Sequence, residues 1–226
     1  MSRAGREHNA AGANERRTAA SPAARSCTVV GLIGGIGSGK STVARMLGKR
    51  GARVLEADAM CAELRRQPEI KSAIRERWGS AVFGADGEVD AAALADIIFE
   101  RPGDLDALNA ILHPKVMERI EQEIAKCRGP GGPGMCVVDA PLLLESGLDR
   151  LCDVTLFVEC DAATRAARLA TARGWAPDEI ERREARQRPL DRKRQAADLV
   201  VPNSGDLAAT RTRVREIAAS LGYDGD

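Results

Sequence analysis

Gly34-Gly35-Ile36-Gly37-Ser38-Gly39-Lys40-Ser41 spells G-x-x-x-x-G-K-S, the residue types and spacing of a loop that cradles phosphates. Glycines leave the backbone N–H groups free to converge on phosphate oxygens. A helix beginning directly after the loop adds its free donors and the positive end of its dipole. Within the motif Lys40 is expected to reach the β- and γ-phosphates and the Ser41 hydroxyl to ligate Mg2+, while Gly35, Ile36, Gly37, Ser38, Gly39 and Thr42 complete the cradle. The ligand implied is a nucleoside triphosphate; the reaction is left open.

Asp58, Asp139 and a set of arginines narrow the reaction. Asp58 lies just beyond the short predicted strand Ala52–Glu56, where a carboxylate can accept the proton of a hydroxyl attacking the γ-phosphate. Capping of the next helix is an equal reading from spacing alone. Asp139 ends the apolar run Met135-Cys136-Val137-Val138 in the manner of a Walker B carboxylate, which positions Mg2+ directly or through water. Arg165, Arg168, Arg173, Arg182, Arg183, Arg186 and Arg188 offer planar cations that can neutralise charge on a moving phosphoryl group. Most are expected to be solvated and paired with Glu179, Glu181 or Glu184. Arg173, followed by Gly174, is the one best able to turn inward. His113, before Pro114, has no role from spacing, and neither histidine of the chain has a nucleophile motif beside it.

These residues need a frame that brings them together. Buried strands are predicted at Cys27–Ile33, Ala52–Glu56, Met135–Asp139, Val154–Val158 and Leu199–Val201. Helices are predicted after the P-loop, through Arg66, from Pro68 to Trp78, over Ala91–Phe99 behind an Asp90 cap, and from Asp104 to Lys126 with His113-Pro114 bending or dividing it. Further helices are read at Ala162–Ala172, Pro177–Arg188, Leu190–Ala197 and Asp206–Leu221. Strands apolar throughout and alternating with helices predict a parallel sheet sandwiched between helical layers. Ligands then sit at the carboxyl ends of the strands, so Asp58 and the P-loop share one cleft. The long helical stretch between the second and third strands is read as an insertion over the ligand site, and the arginine-rich segment as a mobile lid.

Composition sets the outer bounds. The 226 residues suffice for one domain with a substantial core, with 44% hydrophobic and 30% charged residues. A formal net charge of +1 gives no global field for nucleic acid or a membrane surface. Six cysteines without a C-x-x-C pair, several inside apolar runs, read as buried reduced thiols of a cytoplasmic protein. Residues 1–26 lack large apolar side chains and are expected to be a disordered extension; Glu7 and Glu15 argue against a transit peptide.

With these residues in place, the sequence resembles the dephospho-CoA kinases from Val29 to about Leu207. Gly31 to Thr42 resembles the family's P-loop, Ala57-Asp58 its acidic motif, and Leu112-His113-Pro114 its His-Pro step. Val137-Val138-Asp139-Ala140-Pro141-Leu142-Leu143-Leu144-Glu145 is similar to its third-strand signature. Arg168-Leu169, Arg173-Gly174, Arg183, Gln187, Ala197-Asp198 and Asn203 follow its spacing through lid and last strand. The resemblance implies an α/β P-loop NTPase fold, three-layer α/β/α with a parallel five-stranded sheet. It implies a kinase domain over 27–226, with an acceptor-binding insertion at about 61–127 and a lid at about 162–195. It also implies ATP and Mg2+ as cofactors and phosphorylation of the 3′-hydroxyl of dephospho-CoA, by a monomer needing neither nucleic acid nor membrane. Catalytic roles would fall to Asp58, Lys40 and Arg173, acceptor contacts to Asp58, His113, Pro141 and Leu142, and metal ligation to Ser41 and Asp139. Ala91 stands where the family usually has Arg, and Leu144 where it often has Phe. The alternatives are another small-substrate or nucleoside monophosphate kinase of the same architecture, or a non-catalytic nucleotide switch, although no N-K-x-D guanine-reading segment is present.

Overall fold

A computed structural model describes residues 27–101 and 103–224; the extension expected over residues 1–26 lies outside the described residues. Its strands are β1 (Thr28–Gly34), β2 (Arg53–Glu56), β3 (Met135–Asp139), β4 (Val154–Glu159) and β5 (Leu199–Pro202). All pair in parallel in the order β2-β3-β1-β4-β5, which is the expected five-stranded parallel sheet. Register places Asp139 beside both Leu32 of β1 and Glu56 of β2, so the carboxyl ends of the three strands come out together.

The helices are α1 (Lys40–Gly48), α2 (Ala57–Leu64), α3 (Pro68–Trp78), α4 (Ala91–Glu100), α5 (Asp104–Arg128), α6 (Ala162–Arg173), α7 (Pro177–Glu184), α8 (Leu190–Gln195) and α9 (Leu207–Ser220). Short 3-10 turns at Ser80–Val82 and Leu148–Leu151 were not expected from the sequence. Side-chain alternation explains the layering. In β1, Val29 and Ile33 enter one core while Val30 and Leu32 enter the other. In β3, Cys136 and Val138 face the first core, Met135 and Val137 the second. The first core lies under the insertion and the second under α1 and α9. Each fully buried Val, Leu or Ile contributes roughly 1.5–3 kcal/mol, so a strand buried on both faces is a strong fold determinant.

Local signals set the helix ends. Asp90 accepts hydrogen bonds from the N–H groups of Ala92 and Ala93 and caps α4, as predicted. Asp161 and Asp206 cap α6 and α9 in the same way. Pro68 opens α3, which buries Ile70, Ile74 and Trp78 at helical spacing and stops at Gly79. His113-Pro114 does not divide α5 in two. Pro114 lies inside one 25-residue helix, exposed, while Leu112, Val116, Ile120 and Ile124 form one buried stripe across it. That stripe packs on β2, β3, α2, α3 and α4, and outweighs the single hydrogen bond proline removes. The predicted Pro177–Arg188 and Leu190–Ala197 helices end earlier, at Glu184 and Gln195; beyond α7 the Gln187 side chain accepts from Lys193 and the Arg188 N–H donates to Glu145.

Cys27, Cys127, Cys136, Cys152 and Cys160 are buried and Cys61 half-buried, all as free thiols. Burial pushes Cys27 up to about 11 and Cys152 up to about 12, so both stay protonated and unreactive at neutral pH. No helix among the described residues is long and apolar enough to cross a membrane.

Candidate active site

The loop Gly35–Gly39 leaves the end of β1 and enters α1 through Gly39, whose φ of 94° and ψ of 27° lie in the left-handed region. Two side chains from distant elements pin it. Asn203, just past β5, donates from Nδ2 to the Ser38 carbonyl at 2.6 Å, and its own Oδ1 accepts from Thr210 at 3.1 Å. A Cβ at position 39 would meet that Nδ2 at 2.2 Å, so only glycine fits there. Arg165 of α6, 6% exposed, donates to the Ile36 carbonyl at 3.2 Å and pairs with Glu184 of α7. A loop held from both sides keeps its N–H groups aimed without reorganisation when phosphate arrives.

Lys40 curls back over this loop and donates from Nζ to the Gly34 carbonyl at 3.2 Å and the Gly35 carbonyl at 3.0 Å. Desolvation, together with the positive charges of Lys193 and Arg165, pushes its pKa down to about 8, against the opposing pull of Asp139 and Asp58. Ser41 stands exposed in the first turn of α1. The carboxylate of Asp139, a residue 8% exposed, accepts no hydrogen bond among the described residues.

Asp58 lies in the first turn of α2, with its side chain open to solvent. The capping alternative fails, because the N-cap position belongs to Glu56 and no side-chain cap bond forms. Protein around the carboxyl still desolvates it enough to raise its pKa, and Asp139 raises it further; Arg173, Lys40 and Arg65 oppose. Lys40, Asp58 and Asp139 therefore share one field at the carboxyl edge of the sheet.

Arg173 ends α6, exposed, with its guanidinium 4.9 Å from the centre of the Trp175 ring; Arg183 lies 4.3 Å from the same centre. Gly174, at φ 66°, makes the turn between Arg173 and Trp175. Of the expected arginine–glutamate pairs, Arg182 and Arg183 bind Glu179 and Arg165 binds Glu184. Half-buried Pro141 and Leu142 begin the turn after β3. His113 is half-buried on α5, the helix that packs against α2, and its side chain makes no hydrogen bond or ion pair among the described residues. Ala91 is exposed at the start of α4.

A cavity of about 840 Å3 borders the P-loop on the α1–α9 side, lined in part by Gly39, Thr42, Arg168, Asn203 and Leu207. Neither Asp58 nor Asp139 lines it, so it lies apart from the two carboxylates.

The sequence reading missed Lys193 of α8, which is 2% exposed and donates to Gln187 at 2.8 Å while pairing with Glu145 at 3.2 Å. The run Asp191-Arg192-Lys193-Arg194 looks like a solvated face, and no motif separates its middle lysine from the arginines beside it.

The groups set two limbs of a pH profile. Lys40 attracts phosphate only while protonated, so kcat/KM for ATP should fall as pH rises through about 8. If Asp58 must be ionised, the ascending limb lies above the ordinary aspartate range, because its pKa is raised. Direct chromatographic measurement of ADP across pH tests both limbs; a flat kcat/KM from pH 7 to 10 would contradict the placement of Lys40.

The family model for dephospho-CoA kinase matches residues 28–209. A dephospho-CoA kinase of Symbiobacterium thermophilum is 43% identical over 188 residues, covering 82% of this chain and 78% of the relative. One of Deinococcus radiodurans is 41% identical over 180 residues, covering 80% and 86%. The crystal structure of TT1252 from Thermus thermophilus superposes with a TM-score of 0.70 at 33% identity, covering 86% of this chain and 97% of that one.

Proposed function

Because this chain belongs to the dephospho-CoA kinase family, we propose that it transfers the γ-phosphoryl group of ATP to the ribose 3′-hydroxyl of dephospho-CoA, giving CoA and ADP in the last step of CoA biosynthesis. The chain is a kinase, and kinases of this family use ATP. The observation that carries the residue-level reading is the shared field of Lys40, Asp58 and Asp139 at the carboxyl edge of the sheet.

On this reading the P-loop N–H groups from Gly35 to Thr42 and the Lys40 ammonium bind the phosphates, and the base lies toward Arg168 and Asn203. Ser41 and Asp139 would hold Mg2+, which neutralises phosphate charge when bound. The donor set fits: both offer hard oxygens, and the Asp139 carboxylate lies buried without a hydrogen-bond donor among the described residues. Asp58 accepts the proton of the attacking hydroxyl; its raised pKa makes it a better base than an ordinary aspartate while leaving it ionisable. Arg173 neutralises charge on the group in flight, supported by its reach to Asp58. The insertion at about 61–127, with His113, and the turn beginning at Pro141 and Leu142 form the acceptor side, and about 162–195 the lid. Support comes from the packing of α5 on α2 and from the turn's position directly after Asp139.

ADP release measured with dephospho-CoA beside AMP, CMP and shikimate tests the acceptor. Turnover with dephospho-CoA alone is expected; turnover only with one of the others would overturn the reading.

A further inference from the structure

Lys193 is a buried cation that enters the scheme above only as a charge helping to lower the Lys40 pKa. Its ammonium bridges the lid to the core: Gln187 belongs to the α7–α8 joint, and Glu145 to the turn after β3. The Glu145 oxygen that meets Lys193 also accepts the Arg188 N–H at 2.7 Å, while its second oxygen is buried without a partner among the described residues. Further along the same lid, Glu184 pairs with Arg165, which holds the Ile36 carbonyl of the P-loop. The helix carrying Lys193 packs directly on β1, and its Leu190 Cδ2 lies 3.2 Å from where a Cβ on Gly35 would stand. One continuous set of polar contacts thus runs from the turn after Asp139, through the lid, to the phosphate loop.

Stability does not account for this arrangement. Buried ion pairs are often matched or bettered by apolar side chains of the same volume, and a buried unpaired carboxylate oxygen is costly. Apolar side chains in place of both Lys193 and Glu145 would fill the space without either cost, whereas methionine at 193 alone would leave the Glu145 carboxylate without its counter-ion. What an apolar residue would not do is fix the joint in one orientation.

We propose that Lys193 is a positioning residue for phosphoryl transfer, fixing the arginine-bearing lid against the core through Glu145 and Gln187. The inference rests on the kinase reading above. Lys193 touches no reacting atom; it acts through the lid side chains that must align over the transferring group, where small misplacements are expensive.

The test compares Lys193→Met and Lys193→Arg in the full chain, measuring kcat, KM for both substrates, and thermal unfolding. Lys193→Met should lower kcat by ~10–100-fold while KM for ATP moves far less, because alignment matters in the transition state more than in the bound state. Lys193→Arg, which keeps the charge and the two contacts, should recover most of that loss. Unchanged kcat with only the unfolding temperature altered would overturn the proposal, as would a kcat loss that arginine does not rescue. Should Lys193→Met not fold, Gln187→Leu removes one of the two contacts and should still lower kcat; wild-type kcat in that variant overturns the proposal too. If the wild type turns over a different acceptor of the panel, the acceptor reading fails, and the same comparison made with that acceptor still decides the role of Lys193.

Discussion

Lys40→Ala is expected to lower turnover by ~10²–10³-fold with every acceptor, the usual effect of removing one preorganised charge-stabilising group. The loss should be general because Lys40 belongs to the phosphate side of the cleft, where among the described residues its ammonium hydrogen-bonds only the Gly34 and Gly35 carbonyls. It should also come without loss of stability. Folding pulls the Lys40 pKa down from 10.5 to about 8, so the native state disfavours the charged amine. That penalty is fully present below pH 8 and relaxes as pH rises toward 10.5, where the unfolded chain also loses its proton. Alanine removes the penalty, and the variant should unfold at the wild-type temperature or above it at pH 7. Turnover within a few-fold of wild type would show that another cation holds the phosphates.

What the sequence revealed depended on how locally each signal is encoded. The P-loop is contiguous, and its strand, turn and helix are dictated by neighbouring residues, so Gly34 to Ser41 could be read directly. Asp139 was legible because a fully apolar run that ends in an acid marks a buried strand emerging at a polar edge, and β3 does lie beside β1. The unbroken α5 was not, because proline is a strong local breaker and the stripe that overrides it gains its energy from tertiary packing on five other elements. Lys193 and the pinning role of Arg165 were hidden for a related reason. Each is one cation among several on a charged helix, and only the packing of α6 and α8 on the rest of the molecule decides which of them goes inside. Asp58 stood between these cases: spacing left base and cap equal, and the helix start at Ala57, with Glu56 as its cap residue, removed the second.

Asp58→Asn should therefore act on chemistry rather than on the helix. The substitution keeps shape and volume and breaks no cap bond, and because the folded state disfavours the ionised carboxyl, as its raised pKa shows, no loss of stability is expected at neutral pH. ATP affinity should be retained, since the phosphates are held by the P-loop and Lys40, while kcat falls by ~10²–10⁴-fold for want of a base. The pH profile of the residual activity gives a second, independent reading. Its ascending limb should disappear with the carboxyl. Its descending limb should move to lower pH, because the Asp58 charge is one of two that hold the Lys40 pKa up, and the desolvation pulling it down remains. Wild-type turnover in Asp58→Asn would leave proton removal to solvent and reduce Asp58 to a charge at the rim. A steep loss of kcat with both limbs unmoved would separate Asp58 from Lys40 and contradict the common field on which the site is built.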